Sequence, residues 1–260
     1  MTSTHTECTR DVYDREGYVV FRDVLDPGLI AEADAHVDWL RAKHPDLRPE
    51  NLGHWLVKED PFWVRLVSDD RLLDIAEQFI GPDIALFASH YICKPPKDGM
   101  PVLWHQDGSY WPLEPMEVVT LWLSVSDSTP ENGCMRVIPR TQHTDLQEMK
   151  KREDIASVLG SGMDESLVDV SQAVDIVMQP GDVSVHHPNV IHGSEGNTSG
   201  RWRKGLTIRY IPTTTRITDV KKHISAFHLR GKDAGLNEYN EFPKYVAGAH
   251  MPFRGCETWA

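Results

Sequence analysis

The chain has 260 residues, 40% hydrophobic and 25% charged, which suits one soluble globular domain whose core needs no staples. Acidic residues outnumber basic ones 39 to 27, a formal charge of -12, so a nucleic-acid duplex or an anionic membrane would be repelled. No apolar run approaches the roughly 18 residues of a membrane span, and Cys8, Cys93, Cys134 and Cys256 form no C-x-x-C pair, which argues against a zinc knuckle.

The N-terminal stretch MTSTHTECTRDVYDREGY is polar and lacks the apolar region of a secretory leader. With scattered thiols, that predicts a reducing cytoplasm, and Asn197-Thr198-Ser199 then reads as a chance glycosylation match. Asp26-Pro27 predicts a helix start, followed by Ile30, Ala33, Val37 and Leu40 at helical spacing. A second helix is expected from about Ser68, with Leu72, Ile75 and Phe79 inward and Gly81-Pro82 as its stop.

After Pro82 the pattern becomes that of strands. They are expected at 84–93, 118–125, 135–139, 174–178, 183–187 and 205–211, with PENG (130–133) and QPGD (179–182) as turns. In 118–125, Val119, Leu121, Leu123 and Val125 share one face, and Val118, Thr120, Trp122 and Ser124 the other. Segment 140–173 is polar and weakly periodic, and reads either as a lid or substrate loop or as a surface helix. There is no internal repeat and no linker, so one domain spanning 1–260 is expected. Helices first and many short strands later point to an α+β or mainly-β fold.

The stretch HQDGSYW (105–111) sets His105 and Asp107 two apart, so in an extended segment both side chains reach one point. An isolated H-x-D is most often a surface hydrogen bond. It is also two thirds of the 2-His-1-carboxylate triad that holds non-haem Fe(II) with positions left open. The candidate third ligand is His192, which a Gly-Ser turn follows. Eleven residues beyond it stands Arg203, beside Trp202. A guanidinium binds a carboxylate through two parallel hydrogen bonds, which suggests an α-keto acid co-substrate.

The segments WHQDGSYW, PENGCMRVIPRTQH and PGDVSVHHPNVIHGSEGNTSGRWRK resemble the phytanoyl-CoA dioxygenase family, which includes ectoine hydroxylase and many natural-product hydroxylases. The resemblance runs from about Gly17 to Pro212. It implies a double-stranded β-helix (a cupin-like jelly roll), with the N-terminal helices packed outside one sheet. It also implies Fe(II), 2-oxoglutarate and O2, oxidation of a small molecule, and release of succinate and CO2. Read across, His105, Asp107 and His192 match the iron ligands and Arg203 the arginine that binds the far carboxylate of 2-oxoglutarate. Ser194 matches a hydroxyl near that arginine, and Lys94 a basic position upstream of the H-x-D. Thr120 and Trp122 join the co-substrate site if theirs is the inner face. Related halogenases carry a small residue in place of the carboxylate, so Asp107 favours hydroxylation, desaturation or ring formation.

Trp104, Tyr110 and Trp111 flank the H-x-D and either line the substrate pocket or pack the barrel mouth. His187 lies five before His192, so on one regular strand it would face away from a metal and reads as a hydrogen-bonded strand residue; His90 and His143 read as structural or substrate-facing rather than as ligands. The acidic balance mildly favours a small polar or amine-bearing substrate; an amino acid, a natural-product intermediate and a phosphonate all remain open. A metal-dependent isomerase or hydrolase on the same jelly roll, or a plain binding module, is the competing reading. Neither needs Arg203. Oligomeric state has no signature in the sequence.

Overall fold

The computed structural model describes residues 8–219 and 225–259; part of the polar N-terminal stretch, residues 1–7, lies outside the described residues. In chain order come α1 (Thr9–Glu16), β1 (Tyr18–Phe21), α2 (Pro27–Lys43), α3 (Pro61–Val67) and α4 (Asp70–Ile80). Strands β2 (Ile84–Tyr91), β3 (Val102–His105), β4 (Leu113–Glu114), β5 (Val119–Ser124) and β6 (Met135–Ile138) follow. Then come β7 (Lys150–Lys151), β8 (Ser161–Gly162), β9 (Val174–Ile176), β10 (Val183–His186) and β11 (Ile191–Ser194). The last are β12 (Gly205–Pro212), β13 (Arg216–Ile217) and β14 (Phe227–Arg230).

Local chemistry explains the helix ends. The Asp26 carboxylate accepts from the Leu29 amide at 3.1 Å with Pro27 in the first turn, and α2 buries Leu29, Ile30, Ala33, Val37 and Leu40. Helix α4 begins two residues later than expected, because Asp69 is its cap, and it stops at Gly81, whose φ is +82°. Helix α3 was not expected. Its seven residues are apolar nearly all round, so no amphipathic stripe marks them. Its Trp63 is fully buried and donates from Nε1 to Ser89 Oγ at 2.9 Å. Burial of that size makes truncation to alanine cost about 3–5 kcal/mol.

The strands form two antiparallel sheets. The larger has the order β1-β10-β5-β12-β2-β14, and the smaller β3-β11-β6-β9. One face of the larger sheet carries Leu121, Leu123, Val183, Val185, Leu206, Ile208 and Tyr210 into the main core, under Leu29, Val37, Trp63, Leu66 and Leu72 of the helices. The other face looks toward the smaller sheet. This is the expected double-stranded β-helix, helices outside one sheet.

Two sequence expectations change. The stretch from Val183 to His192 is not one strand: β10 ends at His186, Val190 N bonds back to His187 O at 3.0 Å, and β11 continues in the other sheet. Pro188, which cannot donate to a ladder, marks the crossing. Segment 140–173 holds no α-helix among its residues. It forms the short β7–β8 hairpin and two 3-10 turns, Glu165–Leu167 and Val170–Gln172, so the surface-helix alternative falls. Among the described residues no helix is long and apolar enough to cross a membrane.

Candidate iron and 2-oxoglutarate site

Pairing of β3 with β11 sets His105 opposite His192, with ring centroids 4.1 Å apart. Asp107 opens the 3-10 turn that follows β3, after extended Gln106 has turned its carboxylate to the same side. All three are buried, and one donor atom from each lies within 4.8 Å of the others. Asp107 Oδ1 is 3.5 Å from His105 Nε2 and 4.0 Å from His192 Nε2.

Protonation is set by backbone carbonyls. His105 Nδ1 lies 2.8 Å from Leu103 O and His192 Nδ1 3.0 Å from Val190 O. A carbonyl only accepts, so each Nδ1 carries the proton and each Nε2 keeps a lone pair aimed at the shared space. Burial and the neighbouring His105 and His186 push the His192 imidazole well below its usual pKa, so it stays neutral and able to ligate. Burial alone would raise the Asp107 carboxyl. Arg209, with the His186 hydrogen bond and the neighbouring His105 and His192 rings, outweighs it and holds Asp107 well below the carboxylate range. Two imidazoles, each with Nε2 toward the shared space, and one carboxylate on one side of a cavity fit a ferrous ion.

The second oxygen of Asp107 is tethered from the larger sheet. Thr120 Oγ1 donates to Oδ2 at 3.3 Å, and His186 Nε2 approaches it at 3.4 Å. Sequence reasoning weighed only His187 at this point, although His186, six before His192, keeps the even offset that shares its face on an extended strand. Alternation along β10, whose Val183 and Val185 go to the core, points His186 inward, its ring centroid 4.6 Å from that of His192. His187 stays outside the pocket, beside Tyr13, where burial lowers its pKa to about 4.

The cavity beside the triad is lined by, among others, Ile92, Trp122, Ser194, Arg203, Thr207 and Arg209. Trp122 and Thr120 therefore occupy the inner face of β5, the point that the sequence left open. Arg203 is buried, its Nη1 donating to Ile92 O at 3.0 Å and its guanidinium 5.3 Å over the Trp122 ring, while its sealed Nε has no partner. Burial lowers its pKa to about 10, which still leaves it cationic at neutral pH. Gly205 makes the arrangement possible: a Cβ there would sit 2.1 Å from the Trp122 ring.

Lys94 lies behind this wall. Its Nζ donates to Ser194 Oγ at 2.7 Å and to the Glu195 carbonyl, and its backbone pairs with that of Arg203. Burial, with Arg203 adding repulsion, lowers the amine to about 6. An unfolded lysine titrates near 10.4. Between those values the unfolded chain holds a proton that the folded chain lacks. Stability therefore rises with pH across that window, and the cost is fully present below about pH 6. Lys94→Met is expected to flatten that rise. Metal-free protein should gain the most melting temperature at about pH 6 and below, and almost none above about pH 10. Equal gains at both ends of a pH-melt series would refute the assignment.

The three flanking aromatics separate. Trp104 points to the other face of β3, packs near Ile138, Met163 and Ile191, and has Arg136 5.6 Å over its ring. Strand alternation takes it away from the pocket, so it does not line the substrate space. Tyr110 sits 6.1 Å from the His105 ring and shares a 2.8 Å hydrogen bond with Ser161 of the 140–173 segment. Leu159 of the same segment lines the cavity, which agrees with the lid reading. Trp111 packs on Phe87 and carries the Arg209 guanidinium 5.3 Å over its ring.

The family model for phytanoyl-CoA dioxygenase matches residues 13–205. Ectoine dioxygenase of Sphingopyxis alaskensis is 25% identical over 252 residues, covering 82% of this chain and 81% of that protein. Among solved structures, the apo form of the non-heme monooxygenase ThoJ superposes with a TM-score of 0.75 at 24% identity, over 90% of this chain and 87% of that one. EctD from S. alaskensis with 2-oxoglutarate and 5-hydroxyectoine gives 0.70 at 24% identity, over 91% and 88%. The two structural likenesses establish the shared fold.

Proposed function

The chain belongs to the phytanoyl-CoA dioxygenase family, and on that premise we propose that it oxidises an unactivated C–H bond of a small molecule, with 2-oxoglutarate and O2 as co-substrates and Fe(II) held by His105, Asp107 and His192. The observation that carries this reading is the buried triad with both Nε2 lone pairs converging on Asp107 Oδ1. Bound iron supplies O2 activation coupled to decarboxylation of 2-oxoglutarate to succinate and CO2.

The protein's own residues hold and orient. Leu103 O and Val190 O fix the imidazole tautomers, and Thr120 and His186 fix the carboxylate. Arg203, which lines the cavity and has an unpartnered buried Nε, supports the role of clamp for the distal carboxylate of 2-oxoglutarate, with Ser194 and Lys94 behind it. That buried cation favours the oxygenase over a non-redox isomerase, hydrolase or binding module, whose chemistry has no use for it. The apolar contacts of Ile92, Val102 and Met135 exclude water around the reacting groups.

The four cysteines are unpaired, which supports a reducing compartment and hence the cytoplasm. The partner is a small molecule, and the chain's charge of -12 disfavours nucleic acid. The test is succinate release from 2-oxoglutarate on adding Fe(II) under air, without any second substrate. Slow release that stops on chelation is expected. Release that ignores iron, or its complete absence, would leave the non-redox reading in place.

A further inference from the structure

Arg203, just ahead of β12, and Thr207 and Arg209 on it stand at even spacing on the side of the cavity, while Leu206, Ile208 and Tyr210 go to the core. The first arginine is the proposed co-substrate clamp. The second stands six residues on, about 20 Å along a strand. There β12 pairs Arg209 with Thr120, the residue that tethers Asp107. One inner face thus carries two cations, one toward each end of the cavity beside the metal triad.

The surroundings of Arg209 are unusual for a structural arginine. Its Nη1 donates to Thr207 Oγ1 at 2.9 Å, and its guanidinium lies 5.3 Å over the Trp111 ring, which fixes its plane. Its Nε is sealed from solvent with no hydrogen-bond partner. Among the described residues, no carboxylate forms an ion pair with it; Asp107 acts on it only through space. The unsatisfied edge therefore pairs Nε–H with the outward N–H of Nη2. Those two parallel donors are the fork that a planar carboxylate fills. A buried fork left empty costs free energy that a bound carboxylate would recover.

We propose that Arg209 receives a carboxylate of the organic substrate and holds it on the Trp111 platform, so that the oxidised molecule is an organic acid. The inference rests on the oxygenase reading for the identity of the pocket. The overall acidity of the chain does not extend to this wall, where two arginines set the local charge.

The test is calorimetry under argon on protein loaded with Fe(II) and 2-oxoglutarate. The probes are straight-chain carboxylates from butyrate to octanoate, plus phenylacetate, each against its primary amide. At least one acid should bind about ten- to a hundredfold tighter than its amide. Arg209→Ala and Arg209→Gln should erase that preference while the separately titrated affinity for 2-oxoglutarate stays within about twofold. If circular dichroism shows those variants unfolded, Arg209→Lys keeps the charge without the fork and should retain only a weakened preference. Equal binding of acids and amides by the wild type overturns the proposal, as does a preference that survives undiminished in every folded variant. If Arg209→Ala weakens 2-oxoglutarate as much as Arg203→Ala does, Arg209 belongs to the co-substrate instead. Failure of succinate release defeats the oxygenase reading alone, since the acid-over-amide preference is measured without turnover.

Discussion

Replacing Asp107 with alanine is expected to give a protein that keeps no stoichiometric iron after desalting and forms no succinate above background. The carboxylate is the one anion of the donor set, and its Oδ1 faces both imidazole nitrogens. Loss of a mere outer partner of a metal ligand costs about 10- to 100-fold in affinity or activity, and loss of the ligand itself exceeds that. The variant also removes the charge that balances buried Arg209, so its metal-free form should melt lower. Asp107→Asn keeps the shape and separates the two effects. It should lose iron as fully, with less damage to the melt. Iron content and succinate at wild-type levels in either variant would remove Asp107 from the metal centre.

Arg203→Ala is expected to raise the KM for 2-oxoglutarate while iron content is retained. A buried cation hydrogen-bonded to a ligand carboxylate is worth about 2–4 kcal/mol, or roughly 30- to 1000-fold. The guanidinium is held by Ile92 O and the Trp122 face rather than by a carboxylate of the chain, so its charge is available to a ligand. Lysine should not restore the affinity, because it lacks the fork and cannot hold the same plane over Trp122. Initial rates across a 2-oxoglutarate series decide the matter. An unchanged KM would take Arg203 out of the co-substrate site.

Legibility in the sequence followed how local each signal was. Helix α2 was readable because its cap, proline and apolar stripe all lie within 17 residues. The alternation of β5 was readable too, but not which face looked inward, since both carry large side chains. Helix α3 left no trace because burial on all sides erases periodicity. His186 was missed although its even offset from His192 was readable, because attention went to His187; the change of sheet between His187 and Val190 is what only the fold shows. Arg209 was visible in principle: it keeps even spacing from Arg203 and is the one charged residue of β12. What the sequence could not supply was that its partners would be a tryptophan and a threonine rather than an acid.

Three things followed from the sequence by itself: a mainly-β chain with helices ahead of it, a His-x-Asp on an extended segment, and a distant histidine followed eleven residues later by an arginine. Spacing along a strand dictates direction, so the type of centre could be named before its geometry was known. The tertiary structure alone decided how His186 stands to the triad, which face of β5 and β12 lines the cavity, and where each arginine finds its contacts. Those depend on two sheets closing over one another, and contacts between residues about 80 to 100 positions apart are written in no local pattern.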